Sequence, residues 1–531
     1  MSGIDRNTLK HAPDEVRRIA RKGKRGVFRV IFGRTMVITV LLLVQIVLLF
    51  KLMASFAEYI PYYFGSTAVF TAIMLIIVLN SRSNPSIKLT WCILIALLPV
   101  FGAPLYLYIR NDIGHHLEQR LLNSTMRESA IYIDDQSALM ERLRQEDKDL
   151  YRLACYTEQA CGCPIYENTA VRYFPSGEAK FDELLRQLES AKEFIFLEYF
   201  IVQEGYMWRR ILDILKRKAA EGVEVRVMYD GTCAYGQLPY SYPKKLEKLG
   251  IRCKMFSPIR PMVSTYYNNR DHRKILVVDG VTAFTGGVNL ADRYIGREQV
   301  YGHWKDTAVM VQGDAARSFT LMFLQMWNAT ERQRDYAPYL KPSQPRPDAA
   351  GYVLPYGDSP LDGENVGEMV YLNMLNQAKD YVYIMTPYLI LDNEMVTALR
   401  FAAKRGVDVR LILPHIPDKK YAFLLAKTHY VELIEAGVRI YEYTPGFVHA
   451  KVFLADDREA VVGTINLDYR SLYLHFECAA YLYRVPALRD IRRDFFETMA
   501  LSQEITLAEA KRQGLFTRLG GMLLKAAAPL M

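Results

Sequence analysis

The chain has 531 residues, about half of them hydrophobic, and a formal net charge of +9. That charge is concentrated: residues 1–35 hold ten Lys or Arg against three acids, and the remainder is close to neutral. A near-neutral body excludes a long basic track for a phosphate backbone, so no nucleic-acid partner is expected.

In chain order, residues 1–35 read as a basic cytoplasmic arm, where Arg17, Arg18, Arg21, Lys22, Lys24 and Arg25 suit contact with anionic lipid. Residues 36–110 predict a membrane region of two to three hydrophobic segments: Met36 to Phe56, Gly65 to Leu79 and Leu89 to Ile109. Pro99, Gly102 and Pro104 interrupt the third, so it either spans with a kink or dips in and returns. A full crossing places the body outside, and a re-entrant one keeps it in the cytoplasm. Residues 111–165 follow as an amphipathic helical connector in which His115 and His116 form a surface pair.

From residue 166 the pattern alternates strand and helix. Near-continuous apolar runs such as Phe194 to Ile201 and Val223 to Met228 alternate with helical stretches, which predicts an α/β fold with mostly parallel or mixed sheets flanked by helices. The plan then repeats: Ala219 to Met228 recurs as Ala403 to Ile412, and Phe194 to Leu197 as Tyr381 to Ile384. Two duplicated lobes follow, 166–331 and 363–500, joined by a Pro-rich connector at 332–362. The tail at 501–531 mixes apolar and basic residues, as an interfacial helix or a helix packed on the body would. Trp304 and Trp327 read as core. The seven cysteines are an odd set without zinc-ligand spacing and read as core or free thiols.

One motif occurs once per lobe. His272, Lys274 and Asp279 have the spacing H-x-K-x-x-x-x-D, and His449, Lys451 and Asp456 repeat it 177 residues later. Gly286 and Asn289 follow the first His at the offsets at which Gly463 and Asn466 follow the second. On a strand, His and Lys at i and i+2 share a face. Two imidazoles suit a phosphodiester: one attacks phosphorus while the other protonates the departing alkoxide. Either His can take either part. Lysines and Asn amides then stabilise charge on the five-coordinate species without a metal or other cofactor.

Asp279 precedes Gly280 in an apparent hairpin turn and serves either proton chemistry or a structural contact. Asp306 and Glu477, at corresponding strand starts, are candidates to orient the imidazoles. Gly287 would let backbone approach a phosphate, and Thr464 would donate its hydroxyl to one. Glu198, ending a strand near the expected site, is either a candidate substrate contact or a core residue.

These residues resemble the phospholipase D superfamily. The stretches Asn84 to Trp91, Asn269 to Ile275, Gly286 to Tyr294 and Gly463 to Ser471 are similar to bacterial cardiolipin synthases, across about residues 30 to 500. Two departures are an additional first hydrophobic segment and His475, where a small amide is commoner. The resemblance implies that His272 and His449 meet in one site. It further implies a multi-pass protein of the bacterial plasma membrane, acting on phosphatidylglycerol and other anionic phospholipids. The implied reaction joins two phosphatidylglycerol molecules into cardiolipin plus glycerol through a phosphohistidine. The alternative is a membrane-bound phospholipase D that hydrolyses phospholipid to phosphatidic acid.

Overall fold

The structure, a computed structural model, describes residues 67–110, 113–133, 136–258, 268–512 and 514–530, with parts of 43–59. The basic arm and most of the first hydrophobic segment lie outside the described residues. The chain divides into a helical unit within 1–81 and 91–112, and a larger unit comprising 82–90, 113–258 and 266–531.

In the helical unit, the helix Thr67–Leu79 buries Phe70, Met74 and Val78. Trp91 meets Tyr106 edge-on at 5.4 Å between ring centroids. The predicted third segment is divided into Pro85–Leu97 and Pro99–Arg110, because the Pro99 ring has no N–H with which to continue the first helix's ladder. The three helices have 13, 13 and 12 residues. At about 1.5 Å per residue each is about 20 Å long, short of a hydrocarbon core of about 30 Å. Among the described residues, which leave out most of the first predicted segment, no helix is long and apolar enough to cross a membrane. Their outward side chains are nonetheless apolar: Ile73, Ile76, Ile93 and Leu97 are exposed.

The larger unit carries two sheets of the same design. In the first lobe the strands are β1 (Thr169–Phe174), β2 (Phe194–Tyr199), β3 (Glu224–Asp230), β4 (Arg252–Phe256), β5 (Arg270–Asp271), β6 (Lys274–Val278), β7 (Thr282–Gly286), β8 (His303–Lys305) and β9 (Ala308–Gly313). In the second they are β10 (Tyr352–Asp358), β11 (Tyr381–Met385), β12 (Asp408–Pro414), β13 (Arg439–Tyr443), β14 (Gly446–Val448), β15 (Val452–Ala455), β16 (Glu459–Gly463), β17 (His475–Tyr483) and β18 (Ser502–Glu504). The first sheet runs β1-β9-β7-β6-β2-β3-β4, and the second repeats it as β10-β17-β16-β15-β11-β12-β13, with β18 added at the edge.

In the first sheet only β2, β3 and β4 pair in parallel, so it is mixed with an antiparallel majority rather than mostly parallel. The apolar runs misled because helices cover both faces of these antiparallel strands too. The helix Ala316–Asn328, buried along nearly its whole length, contributes to one core shared by both sheets.

The second lobe begins earlier than the sequence suggested. β10 lies inside the expected connector, and its Pro355 is tolerated because β10 is an edge strand paired on one side with β17. The tail belongs to this lobe as well: β18 pairs with β13, and the helix Leu515–Ala527 rests on the helix Lys420–Glu435 through Gly521 at Thr428 and a Lys525–Glu432 ion pair of 3.5 Å. It leaves Leu519, Met522 and Leu523 exposed.

The aspartates that close the two motifs clip turns. Asp279 and Asp456 have φ of +52° and +53°, a left-handed conformation that Asp tolerates better than most residues. Asp279 accepts from the backbone N–H groups of Lys192, Glu193 and Phe194 at 2.8, 2.8 and 2.9 Å, fastening the start of β2. Asp456 does the same for Lys379, Asp380 and Tyr381 at 2.7, 3.0 and 2.8 Å, fastening β11. Replacing Asp456 by Ala orphans these donors, so Asp456→Ala is expected to cost about 1–3 kcal/mol of stability. Thermal or denaturant unfolding measures the loss, and phosphate binding in the cavity described below is expected to survive in the folded fraction.

Candidate active site

Each motif histidine is delivered to the opposite lobe by a short parallel bridge. β5 pairs with β17 through Arg270↔His475 and Asp271↔Phe476. One residue further, the His272 N–H donates to the Phe476 carbonyl at 2.9 Å, which sets His272 beside Glu477. The second bridge is its counterpart. β14 pairs with β8 up to Val448↔Lys305, and the His449 N–H donates to the Lys305 carbonyl at 2.7 Å, beside Asp306.

The side chains complete this exchange. His272 Nδ1 lies 2.8 and 3.0 Å from the Glu477 carboxylate oxygens, and His449 Nδ1 lies 2.7 Å from Asp306 Oδ2. Each motif imidazole therefore comes from one lobe and its carboxylate from the other. With Nδ1–H donated to a carboxylate, Nε2 keeps its lone pair. Both histidines line one cavity of about 630 Å³, together with Asn289, Asn466, Phe200, Tyr294 and Trp304.

The remaining candidates divide. Asn289 and Asn466 line the cavity; Asn289 is held by the Ile201 N–H at 3.0 Å and donates to the Tyr294 hydroxyl at 2.9 Å. Gly287 approaches protein rather than an open phosphate site, because a Cβ there would stand 2.0 Å from Asp306 Oδ1 and 2.8 Å from the His449 carbonyl. Thr464, its counterpart, is fully buried and donates to Glu477, so its hydroxyl is committed to the carboxylate that holds His272. Glu198 is fully buried, lies 2.5 Å from Arg273 in an ion pair, and does not line the cavity, as the core alternative has it.

The lysines depart from the strand-face expectation too. A break separates each His from the strand that follows, and Lys274 and Lys451 are fully buried with their ammonium groups on the carbonyls of His272 and His449. Neither lines the cavity, so each acts on it by charge at short range.

Sequence reasoning missed the aromatic wall. Phe200 meets His272 edge-on at 4.9 Å, and Tyr294 and Trp304 stand 5.6 and 5.2 Å from His449. Trp304 thus lines the cavity and is not merely core; Trp327 is core as expected. Spacing carries no signal for these residues, since an aromatic serves a core and a cavity wall equally well. His272, His475 and Glu477 also bring three donor atoms within 4.8 Å of one another, but Glu477 is already engaged by His272 and Thr464.

Electrostatics mark the cavity as an anion site. Burial, then the Lys274 charge, holds His272 well below its ordinary value, and burial with Lys451 brings His449 down to about 4, so both imidazoles are neutral. Burial brings Lys274 down to about 8. Burial, opposed by Asp306 and reinforced by Lys274, brings Lys451 down to about 7. Burial raises Glu477 to about 8 against the pull of Lys274. A phosphate entering this crowd of buried cations supplies the missing negative charge and raises the affinity of the lysines and imidazoles for protons.

Comparison with known proteins places this geometry. A family model described as cardiolipin synthase, PLD-like domain, matches residues 184–327 and 371–499, and one described as phospholipase D-nuclease N-terminal matches 69–111. A cardiolipin synthase of Alkalihalophilus pseudofirmus is 33% identical over 464 residues, covering 86% of this chain and 91% of the relative. This chain belongs to the cardiolipin synthase family of phospholipase D-like proteins.

An uncharacterized Streptococcus mutans protein is 53% identical over 452 residues, covering 85% of this chain and 98% of that one. Among solved structures, a phosphatidylserine synthase of Haemophilus influenzae matches with a TM-score of 0.54 at 16% identity, over 71% of this chain and 97% of that one. That likeness is one of fold alone, at an identity too low to carry substrate.

The protonation argument is open to measurement. At pH 8 the free site holds Lys451 largely neutral and Lys274 partly so, and the bound anion recharges them, so inorganic phosphate is expected to bind with a net uptake of protons. Affinity then falls as pH rises above that point. Calorimetry in buffers of different ionisation enthalpy reads the uptake; binding that neither takes up protons nor weakens with rising pH would refute the assignment.

Proposed function

We propose that the chain is a phosphatidyltransferase that joins two phosphatidylglycerol molecules into cardiolipin and glycerol. The crossed pairs His272–Glu477 and His449–Asp306 around one cavity carry this reading, because they supply two equivalent imidazoles, each fixed in the tautomer that frees Nε2. Membership of the cardiolipin synthase family supports the lipid substrate.

One Nε2 attacks the phosphorus of the first lipid. An N–P bond forms and the P–O bond to glycerol breaks, while the other imidazole, charged once the anionic diester is bound, passes its proton to the leaving oxygen. The hydroxyl of the second lipid then gives its proton to that same imidazole. Its oxygen bonds phosphorus, and the N–P bond breaks. Lys274 and Lys451 stabilise the added charge of the five-coordinate species, Asn289 and Asn466 offer amide donors at the cavity wall, and the aromatic wall limits water. Asp306, Glu477 and Thr464 position the imidazoles rather than touch substrate.

The exposed apolar side chains of the helical unit support attachment to a lipid bilayer, which keeps both substrates at high local concentration. In the full chain, residues 36–110 are the segment that makes this attachment.

Purified full-length protein supplied with labelled phosphatidylglycerol is expected to yield cardiolipin and glycerol. His272→Asn and His449→Asn are each expected to lower the rate about 10³-fold or more, and quenching the active chain with denaturant at mildly alkaline pH, where an N–P bond survives, is expected to trap labelled lipid on protein. Phosphatidic acid as the sole product would reject the transferase reading in favour of hydrolysis.

A further inference from the structure

His475 is the one motif departure that the reaction above leaves unused, and its surroundings are unusual. It begins β17, is 8% exposed and lines the cavity, with its ring centroid 5.4 Å from that of His272. Neither of its ring nitrogens has a hydrogen-bond partner; Glu477 Oε1 is 3.9 Å from its Nδ1. A buried imidazole with both nitrogens unmatched is costly unless a ligand satisfies it.

Cations surround it. Arg470, Lys274, Arg270 and Lys419 all act on His475, and with burial they keep its ring neutral, so it offers one N–H donor and one acceptor. Three of these, Arg270, Lys419 and Arg470, line the same cavity as the two motif histidines. Asp230 lies 3.7 Å from Arg270, and Asp418 lies 3.7 Å from Lys419. The Arg470 guanidinium has no hydrogen-bond or ion-pair partner among the described residues, and it is exposed. Two acids line the cavity as well: Asp468 caps its helix at the Ser471 N–H at 2.8 Å and feels the Lys419 and Arg470 charges, and Asp418 accepts from the Tyr388 hydroxyl at 2.7 Å.

We propose that His475, Arg470, Lys419 and Arg270 form a second anion subsite, beside the transfer centre, that takes the phosphate of the acceptor lipid. This rests on the transfer reading above and specifies its acceptor. Water or a simple alcohol brings no charge to the second half-reaction. A phosphatidylglycerol acceptor carries its own diester one glycerol bridge from the attacking hydroxyl, and that diester needs a cationic seat next to the first. Arg470 supplies a planar fork for the phosphate oxygens, and His475 donates its N–H. Holding the acceptor by its phosphate also places its hydroxyl over the phosphohistidine in preference to water, which favours transfer over hydrolysis.

The test compares acceptors. In full-length protein loaded with labelled phosphatidylglycerol as donor, Arg470→Gln and His475→Asn are each expected to lower, at least tenfold, the ratio of kcat/KM for phosphatidylglycerol as acceptor to that for ethanol. A second measurement does not depend on turnover. In the slow His449→Asn background, calorimetric titration with dihexanoyl phosphatidylglycerol in detergent is expected to show two binding events, reduced to one when Arg470→Gln is added. A ratio within twofold of the parent in both variants, with unchanged stoichiometry, overturns the subsite. If the parent transfers to no alcohol while the titration still falls from two events to one, the proposed reaction fails and the subsite stands.

Discussion

The crossed imidazole–carboxylate pairs organise everything else in the larger unit. A histidine that must keep Nε2 free needs its Nδ1–H engaged, and here the engaging carboxylate always belongs to the other lobe. Neither lobe can therefore present a fully oriented imidazole by itself. The two-residue and three-residue bridges β5–β17 and β14–β8 make the exchange possible by setting each His one step beyond its last paired residue, opposite the acid. Duplication followed by exchange of one element in each direction gives two equivalent half-sites in one cavity.

The same economy governs the supporting residues. Gly287 and Thr464 occupy equivalent positions but solve different problems: the shorter Asp306 packs directly over a bare Cα, and the longer Glu477 takes a hydroxyl donor. The two buried lysines hold no solvent contact, so their charge reaches the cavity with little screening. Without an anion their ammonium groups are strained electrostatically against each other and against the imidazoles. The binding of a phosphodiester relieves that strain and, in the same event, charges the imidazole that must act as acid.

Much of this was legible in the residues. The duplicated spacing of His272, Lys274, His449 and Lys451, with Asn289 and Asn466 at matched offsets, marked the cavity, and the corresponding strand starts marked Asp306 and Glu477. What spacing left open shares a cause. Asp279 and Asp456 keep the motif's spacing as faithfully as the histidines do, but spacing does not distinguish a carboxylate that serves the site from one that clips a turn at positive φ. Glu198 ends an apolar strand near the site, yet its alternating partner on β6 and the Arg273 side chain draw it into the interior. Strand direction failed likewise, because burial on both faces produces the same apolar run in parallel and antiparallel strands.

Sequence alone determined which chemical groups exist in duplicate, in what order, and on what alternation of strand and helix, because those properties are local and periodic along the chain. Tertiary structure alone decided which carboxylate faces which imidazole, which lysine is open or buried, and that Phe200, Trp304 and His475 stand at the cavity. Those are relations between residues far apart in sequence, such as the 205 positions separating His272 from Glu477. They arise only when two sheets pack on one core and the bridging strands close across it.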